Sequence, residues 1–373
     1  MKPAQLTLLP KLFLLVTAIT LINCNSTPKP TVPVNTVRGY NGTASVGDFL
    51  TISIDASAKT ITYKNYTNSE TGTVSYSVNS DGTYAITDPN GNLLAGYEVP
   101  GTAMMVEAAN AGPNRDTAAL ITAVESAPAT INTFAGRNFN YIQFRTTSGG
   151  IELGTVSVDS NGNITHAGYW PFGMISQGGS FNSGNFPASS VTEDASGNFF
   201  TITEGNSAQD YVFGTQNGFF AVDTGNGTIL GLPKAASKAF SPATAGIYTA
   251  LYYEKPNAQM QAGNVESGTA AEGIASITIG SGGAVTITDS HNNPMASGTL
   301  AAVADTSYLY DGTANTLPDP LYGMFTFRTA TANAQQDVYV SFQGNAVIFS
   351  SFQTVLPIVQ NNTYTYFYGV GLK

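Results

Sequence analysis

Charge is scarce in this chain. Only 10% of its 373 residues are charged, against about a quarter in an ordinary soluble domain. There are 14 Lys and Arg against 24 Asp and Glu, a formal net charge of −10. Phosphate recognition needs clustered basic side chains, so nucleic acid is excluded as a partner. Histidine occurs twice, at His166 and His291, and cysteine once, at Cys24. Cys/His zinc sites and a disulfide framework are therefore excluded. No apolar run reaches the roughly 20 residues of a membrane-spanning helix. Gly, Ser, Thr and Asn stand where charges would be. The apolar share, 42%, is nonetheless that of a folded chain rather than a disordered one.

What is present begins at the N-terminus. Lys2 and Lys11 precede the uncharged stretch Leu12–Ile22, eleven residues long. That is too short to span a bilayer and right for an exported leader. The leader ends in Leu21-Ile22-Asn23-Cys24, which resembles the lipobox of bacterial lipoproteins. In that family the residue matching Cys24 is acylated and becomes the mature N-terminus. Asn23 departs from the Gly, Ala or Ser usual before the cysteine. Asn25, rather than Asp, follows it, which in the enterobacterial sorting rule implies the outer membrane. The resemblance thus implies a leader over 1–23, membrane attachment through a lipid on Cys24, and residence in the bacterial cell envelope. Multiple acyl chains anchor stably, since each buried methylene contributes ~0.8 kcal/mol. Pro28, Pro30 and Pro33 follow, and proline at this density makes 24–37 an extended tether.

From Arg38 onward the pattern is all-β. Apolar residues alternate in short runs broken by Gly, Asn, Asp and Ser, the period of half-buried strands. Asn-Gly and Asp-Gly pairs supply the positive φ that tight hairpins require. The stretch 118–124, rich in β-branched residues, reads as a strand.

Three blocks recur in the same order. The first is Thr51-Ile-Ser-Ile-Asp55, Thr155-Val-Ser-Val-Asp159 and Ser276-Ile-Thr-Ile-Gly280, each followed by a turn and a strand opening Ile61-Thr62, Ile164-Thr165 or Val285-Thr286. The second pairs Thr73-Val-Ser-Tyr76, Ser190-Val-Thr-Glu193 and Thr299-Leu-Ala-Ala302 with strands around 82–87, 197–203 and 306–310. The third, looser block is Ala103-Met-Met-Val-Glu107, Gly218-Phe-Phe-Ala-Val-Asp223 and Asn345-Ala-Val-Ile-Phe349. First-block copies are 104 and 121 residues apart, the length of whole domains. Three tandem antiparallel meanders are expected at 38–130, 134–240 and 244–373. Each is expected as a small barrel of seven or eight strands, with a sandwich or a propeller as alternatives, because closure removes exposed edges. Over most of 134–240 the unit resembles uncharacterised extracellular β domains found in tandem in environmental bacteria, a resemblance that implies no known activity.

Chemistry is sparse. His166 lies in a strand and His291 in a turn, and no Gly-x-Ser-x-Gly elbow accompanies either, so both read as surface or turn residues. Glu193 and Asp194 are adjacent and therefore point to opposite faces of a strand. Asp55 and Asp159 read as turn formers. Asp88, Asn90 and Asn92, and likewise Asp159, Asn161 and Asn163, space oxygen donors as calcium loops do. Both segments lack a downstream bidentate acid and read better as hairpin turns. Nothing implies a cofactor or a resident metal.

Aromatic side chains remain as binding candidates. Tyr364, Tyr366 and Tyr368 share one strand face, and Tyr252, Tyr253, Tyr308, Tyr310 and Tyr322 belong to the same third unit. An exposed row could stack on a glycan or an envelope protein; otherwise it lines a core or a barrel. Trp170, Phe181 and Phe186 flank the Gly-rich loop 177–185. The expected function is a non-enzymatic, lipid-anchored envelope protein displaying β domains for structural, adhesive or ligand-binding purposes. An envelope glycosidase is one alternative, and it would need converging ionisable groups. A lipocalin-like carrier of an apolar molecule is the other, and it would need a barrel cavity of roughly 300 Å³ or more.

Overall fold

The computed structural model describes residues 37–373 apart from 112–116, 127–129, 146–149, 172–187, 195–198, 205–207, 216–217, 226, 262–263, 267–270, 304–320, 331–333 and 356–362. Cys24, its leader and the tether lie outside the described residues. Residues 37–373 form one compact unit built from three antiparallel sheets.

The first sheet is a closed eight-stranded barrel, each strand paired with its sequence neighbour. Its strands are β1 (Val37–Ala44), β2 (Phe49–Asp55), β3 (Thr60–Asn65), β4 (Glu70–Val78), β5 (Tyr84–Thr87), β6 (Leu93–Val99), β7 (Ala103–Ala111) and β8 (Thr117–Glu125). The ring closes where β1 meets β8, with Gly42 opposite Ala123. A Cβ on Gly42 would lie 2.7 Å from the Thr122 carbonyl oxygen, so only glycine lets these strands approach.

The second closed barrel holds β9 (Arg137–Arg145), β10 (Gly150–Val158), β11 (Asn163–Pro171), β12 (Ser189–Glu193), β13 (Phe200–Glu204), β14 (Ala208–Gly214), β15 (Phe220–Asp223) and β16 (Gly227–Pro233). The third sheet has more strands than the seven or eight expected. It comprises β17 (Gly246–Gln261), β18 (Asn264–Glu266), β19 (Ala271–Ile279), β20 (Ala284–Asp289), β21 (Pro294–Thr299), β22 (Ala301–Ala302), β23 (Met324–Ala330), β24 (Ala334–Gln343), β25 (Ala346–Val355) and β26 (Thr363–Leu372). Two features raise the count. The short β18 pairs only with the far end of the long β17. A single strand is also split at Leu300, whose N–H bonds Gly283 O. Before the split β21 pairs with β20, and after it β22 pairs with β23. The ring is thereby nearly closed through the chain itself.

The repeated blocks fall on equal ring positions. The first is the second strand of each ring (β2, β10, β19), and the third is the seventh (β7, β15, β25). In the third ring the described strand next to β22 is β23; 306–310, expected as a strand there, lie outside the described residues. The stretch 118–124 lies within strand β8.

Threonine pairs replace charge on the outer faces. Thr62 and Thr73 are opposite and bonded at 3.0 Å, and Thr192 and Thr201 at 2.9 Å. Such cross-strand hydroxyl pairs stabilise a sheet without ionic groups. The seventh strands differ, because both of their faces are apolar. Phe220–Asp223 is buried at every position. One face turns into its own barrel and the other joins a cluster shared by all three sheets. Tyr368 on β26 stacks on Phe144 of β9, ring centroids 5.1 Å apart, and its hydroxyl faces Thr122 of β8. Between the first two barrels, Phe49 packs against Tyr211 and Phe213 at 4.7 and 4.8 Å. There too the Thr228 hydroxyl donates to Ala44 O at 2.9 Å.

Candidate functional site

The three barrels are filled differently. In the second, Phe134, Phe139, Tyr141, Phe200 and Phe220 pack inside with Val158, Val191, Val212 and Val222. Glycines make room for the rings: a Cβ on Gly231 would lie 1.9 Å from the Phe220 ring, and one on Gly154 2.1 Å from Tyr141. The third encloses Tyr248, Phe325, Phe327, Phe349 and a set of Ile and Val side chains.

The first barrel contains a cavity of about 670 Å³. Its wall is made by alternate residues of successive strands: Leu50 and Ile52, Ile61, Val74, Ile86, Leu94, Val106 and Ile121. These are mid-sized aliphatic groups, as are Val156, Ile164, Val191 and Ile202 at the matching positions of the second barrel, where Phe134, Tyr141 and Phe220 add the rings that fill it. Tyr63 completes the inner lining, and space remains between these side chains.

One end of this barrel is sealed. Glu98 projects inward from β6 with its side chain fully buried. Arg38 donates to it twice, Nε to Oε1 at 2.6 Å and Nη2 to Oε2 at 2.7 Å. The Tyr40 hydroxyl donates to Oε1, and that of Tyr84 to Oε2 at 2.5 Å. Burial alone would raise the Glu98 carboxyl, but the four donors outweigh it and hold its pKa below the ordinary value. Burial and the neighbouring carboxylate push both tyrosine hydroxyls well up, while bonding to Glu98 raises Arg38. The cluster is a fixed polar plug.

The other end is the mouth, carrying Asp48, Asn65, Asn68, Glu70, Asp88, Asn90 and Glu107. Between β6 and β7 the ladder stops at Gly96 opposite Val106, although β7 continues to Ala111. Where pairing would continue, the Ala95 N–H donates instead to Glu107 Oε2 at 2.6 Å. The wall parts there, beside Leu93, which is 81% exposed. Glu107 is 7% exposed, and burial pushes its carboxyl pKa up against that single hydrogen bond.

The residues singled out from sequence are dispersed. Asp88 Oδ1 accepts N–H bonds from Asn90 and Asn92, and its Oδ2 accepts from Asn92 Nδ2. Asp159 accepts the same three donors from Asn161 and Asn163. Asp289 does so from His291 and Asn293, a third copy of the same turn. Their carboxylates are engaged in closing hairpins, as is that of Asp55 with Ser57 and Ala58. His291 is exposed in its turn, as expected. His166, expected at the surface, is half-buried in β11 beside Tyr141, ring centroids 6.1 Å apart, and burial lowers its pKa. Glu193 is exposed at the end of β12 and Asp194 follows it.

Of the tyrosine row, Tyr368 is fully buried where the sheets meet, so it packs the seam and offers no exposed stacking face. Tyr364 and Tyr366 pair in β26 and Trp170 in β11 opposite Leu153; the side chains of all three lie outside the described residues. Tyr253 is buried and Tyr252 and Tyr322 are half-buried. Tyr308, Tyr310, Phe181, Phe186 and the loop 177–185 lie outside the described residues. Sequence reading passed over Arg38, Glu98 and Glu107. The available signal was a glutamate inside an otherwise apolar strand, as in Met104-Met-Val-Glu107.

No protein-family model matches the chain, and no curated protein matches it. Among solved structures, it is similar to the vaccine antigen transferrin binding protein B of Haemophilus parasuis, at 8% identity and TM-score 0.20, over 90% of this chain and 76% of that one. Transferrin binding protein B from serogroup B Neisseria meningitidis gives 12% identity and TM-score 0.19, over 88% and 66%. A DUF3598-family protein of unknown function from Nostoc punctiforme gives 8% and 0.18, over 90% and 95%. Likenesses this weak assign no function to the chain.

Proposed function

We propose that this chain is a cell-envelope protein, tethered by a lipid on Cys24, whose first barrel binds a small apolar molecule. The domains expected at 38–130, 134–240 and 244–373 then divide the work. The second and third are packed supports, and the first is the receptor. The observation that carries this reading is the cavity of about 670 Å³ in the first barrel, sealed at one end by the Glu98 cluster and open at the other. Ligand pockets run to roughly 300–1,000 Å³, mostly apolar with a few polar groups, and this one has both properties. The carrier alternative is preferred to a purely structural display because a display scaffold has no use for a hollow core.

The test is titration with a neutral fluorescent apolar probe, N-phenyl-1-naphthylamine. Saturable enhancement is expected for the wild type. It should be lost in Ile86→Trp, whose larger side chain would occupy the cavity, and in Val74→Trp, a second blocking variant nearer the surface. Enhancement that survives in folded forms of both variants overturns the assignment.

A further inference from the structure

The mouth of the cavity is one-sided in charge. Asp48 lies in the β1–β2 turn, Glu70 opens β4, Asp88 begins the β5–β6 turn, and Glu107 is on β7, so four carboxylates from four elements ring one opening. The other polar side chains of the lining are Tyr63 and the amides of Asn65, Asn68 and Asn90, with Asn65 Nδ2 donating to Asp48 Oδ2 at 2.8 Å. Among the described lining residues there is no Lys, Arg or His.

Among the described lining residues an anionic headgroup would meet no cationic side chain. An ammonium brings three donors and no acceptor, and it complements a mouth that offers acceptors. Glu107 is the sharpest element of this match. It is nine-tenths buried, lines the cavity and accepts one described hydrogen bond. A carboxylate kept from water with so few donors gains strongly from a cation placed beside it.

We propose that the first barrel takes a cationic amphiphile, an amine whose apolar body fills the cavity and whose ammonium lies at the mouth beside Glu107, Glu70 and Asp48. This rests on the reading of the first barrel as a binding site and names the class of its ligand.

Displacement of N-phenyl-1-naphthylamine by three ligands of equal chain length tests it: dodecylamine, dodecanol and dodecanoate, each below its aggregation concentration at neutral pH. The amine is expected to displace the probe at about tenfold lower concentration than the alcohol, and dodecanoate to be the weakest, as opposite and like charges at a partly desolvated mouth require. High salt should compress that order. So should Glu107→Gln, and Glu70→Gln serves as a second variant at a more exposed position. If the alcohol displaces the probe and the amine does no better, the ligand class is overturned and the cavity reading stands. If the probe itself fails to bind the wild type, the cavity reading falls, and the ligand class with it.

Discussion

Arg38 and Glu98, sixty positions apart, meet inside the first barrel through two parallel hydrogen bonds of 2.6 and 2.7 Å. This is the geometry in which a guanidinium matches a carboxylate best. With the hydroxyls of Tyr40 and Tyr84 on the same two oxygens, Glu98 is buried without being orphaned. Removing one partner of a buried pair leaves a charge uncompensated and costs about 3–5 kcal/mol. Arg38→Met is therefore expected to lose about 3 kcal/mol in urea unfolding, and Arg38→Met with Glu98→Leu to recover most of it. Equal stability of the single variant and the wild type would contradict the description of the plug.

The same cluster predicts acid sensitivity. The Glu98 pKa is held below its ordinary value of 4.5, so the native state favours the ionised form. Its contribution is present above that ordinary value and is lost as pH falls below it through the folded-state pKa. Melting temperature should fall steeply in that acid range for the wild type and less steeply for Glu98→Gln.

Asp223 runs in the opposite sense. Burial first, then the charges of Asp210 and Asp48, push its pKa from 3.8 up to about 7, against one N–H bond from Gly225. The native state here favours the protonated acid. Stability is fully present below 3.8 and declines as pH rises to about 7, a span worth roughly 4 kcal/mol at most. Asp223→Asn should flatten the decline and raise the melting temperature at mildly alkaline pH. A variant as pH-sensitive as the wild type would remove Asp223 from that role.

Gly231 and Phe220 give a packing prediction. A Cβ on Gly231 would lie 1.9 Å from the ring, which is held between Phe134 and Phe139. Gly231→Ala should cost about 1–3 kcal/mol by overpacking. Shortening the opposing side chain in the double variant with Phe220→Leu should restore part of it. Chemical unfolding of the two variants checks this. Additive losses would mean that the two sites do not meet.

The anchor is tested separately. Palmitate labelling in a bacterial host is expected for the wild type and should be lost in Cys24→Ser. Persistence of label in that variant would refute attachment at Cys24.

Much of the architecture could be read locally. Alternation in Thr51-Ile-Ser-Ile dictates a strand with one buried face, because successive side chains point to opposite sides. Asp-x-x-x-Asn segments dictate hairpins, because the aspartate collects the turn's N–H groups within five residues. The order of repeats pointed to three similar antiparallel units, and the scarcity of charge left their outer faces to uncharged Ser, Thr and Asn. The seam was half legible. Ala103-Met-Met-Val106, Phe219-Phe-Ala-Val222 and Ala346-Val-Ile-Phe349 break the alternation because both of their faces are covered. That pattern marks a doubly buried strand without naming its neighbour.

The candidate site was decided elsewhere. Whether a barrel is hollow depends on the summed volume of inward side chains from eight strands, and no single strand carries that sum. Ile86 and Phe200 both read as inward apolar residues, yet one lines a cavity and the other helps to fill a core. Likewise Glu98 becomes a plug only because ring closure brings Arg38 to it, and Glu107 becomes a mouth residue only because the β6–β7 ladder ends early. The sequence by itself determined strands, turns and the number of rings, since these depend on neighbours along the chain. Cavity, plug and charged mouth depend on neighbours across the ring, and only the tertiary structure supplied those.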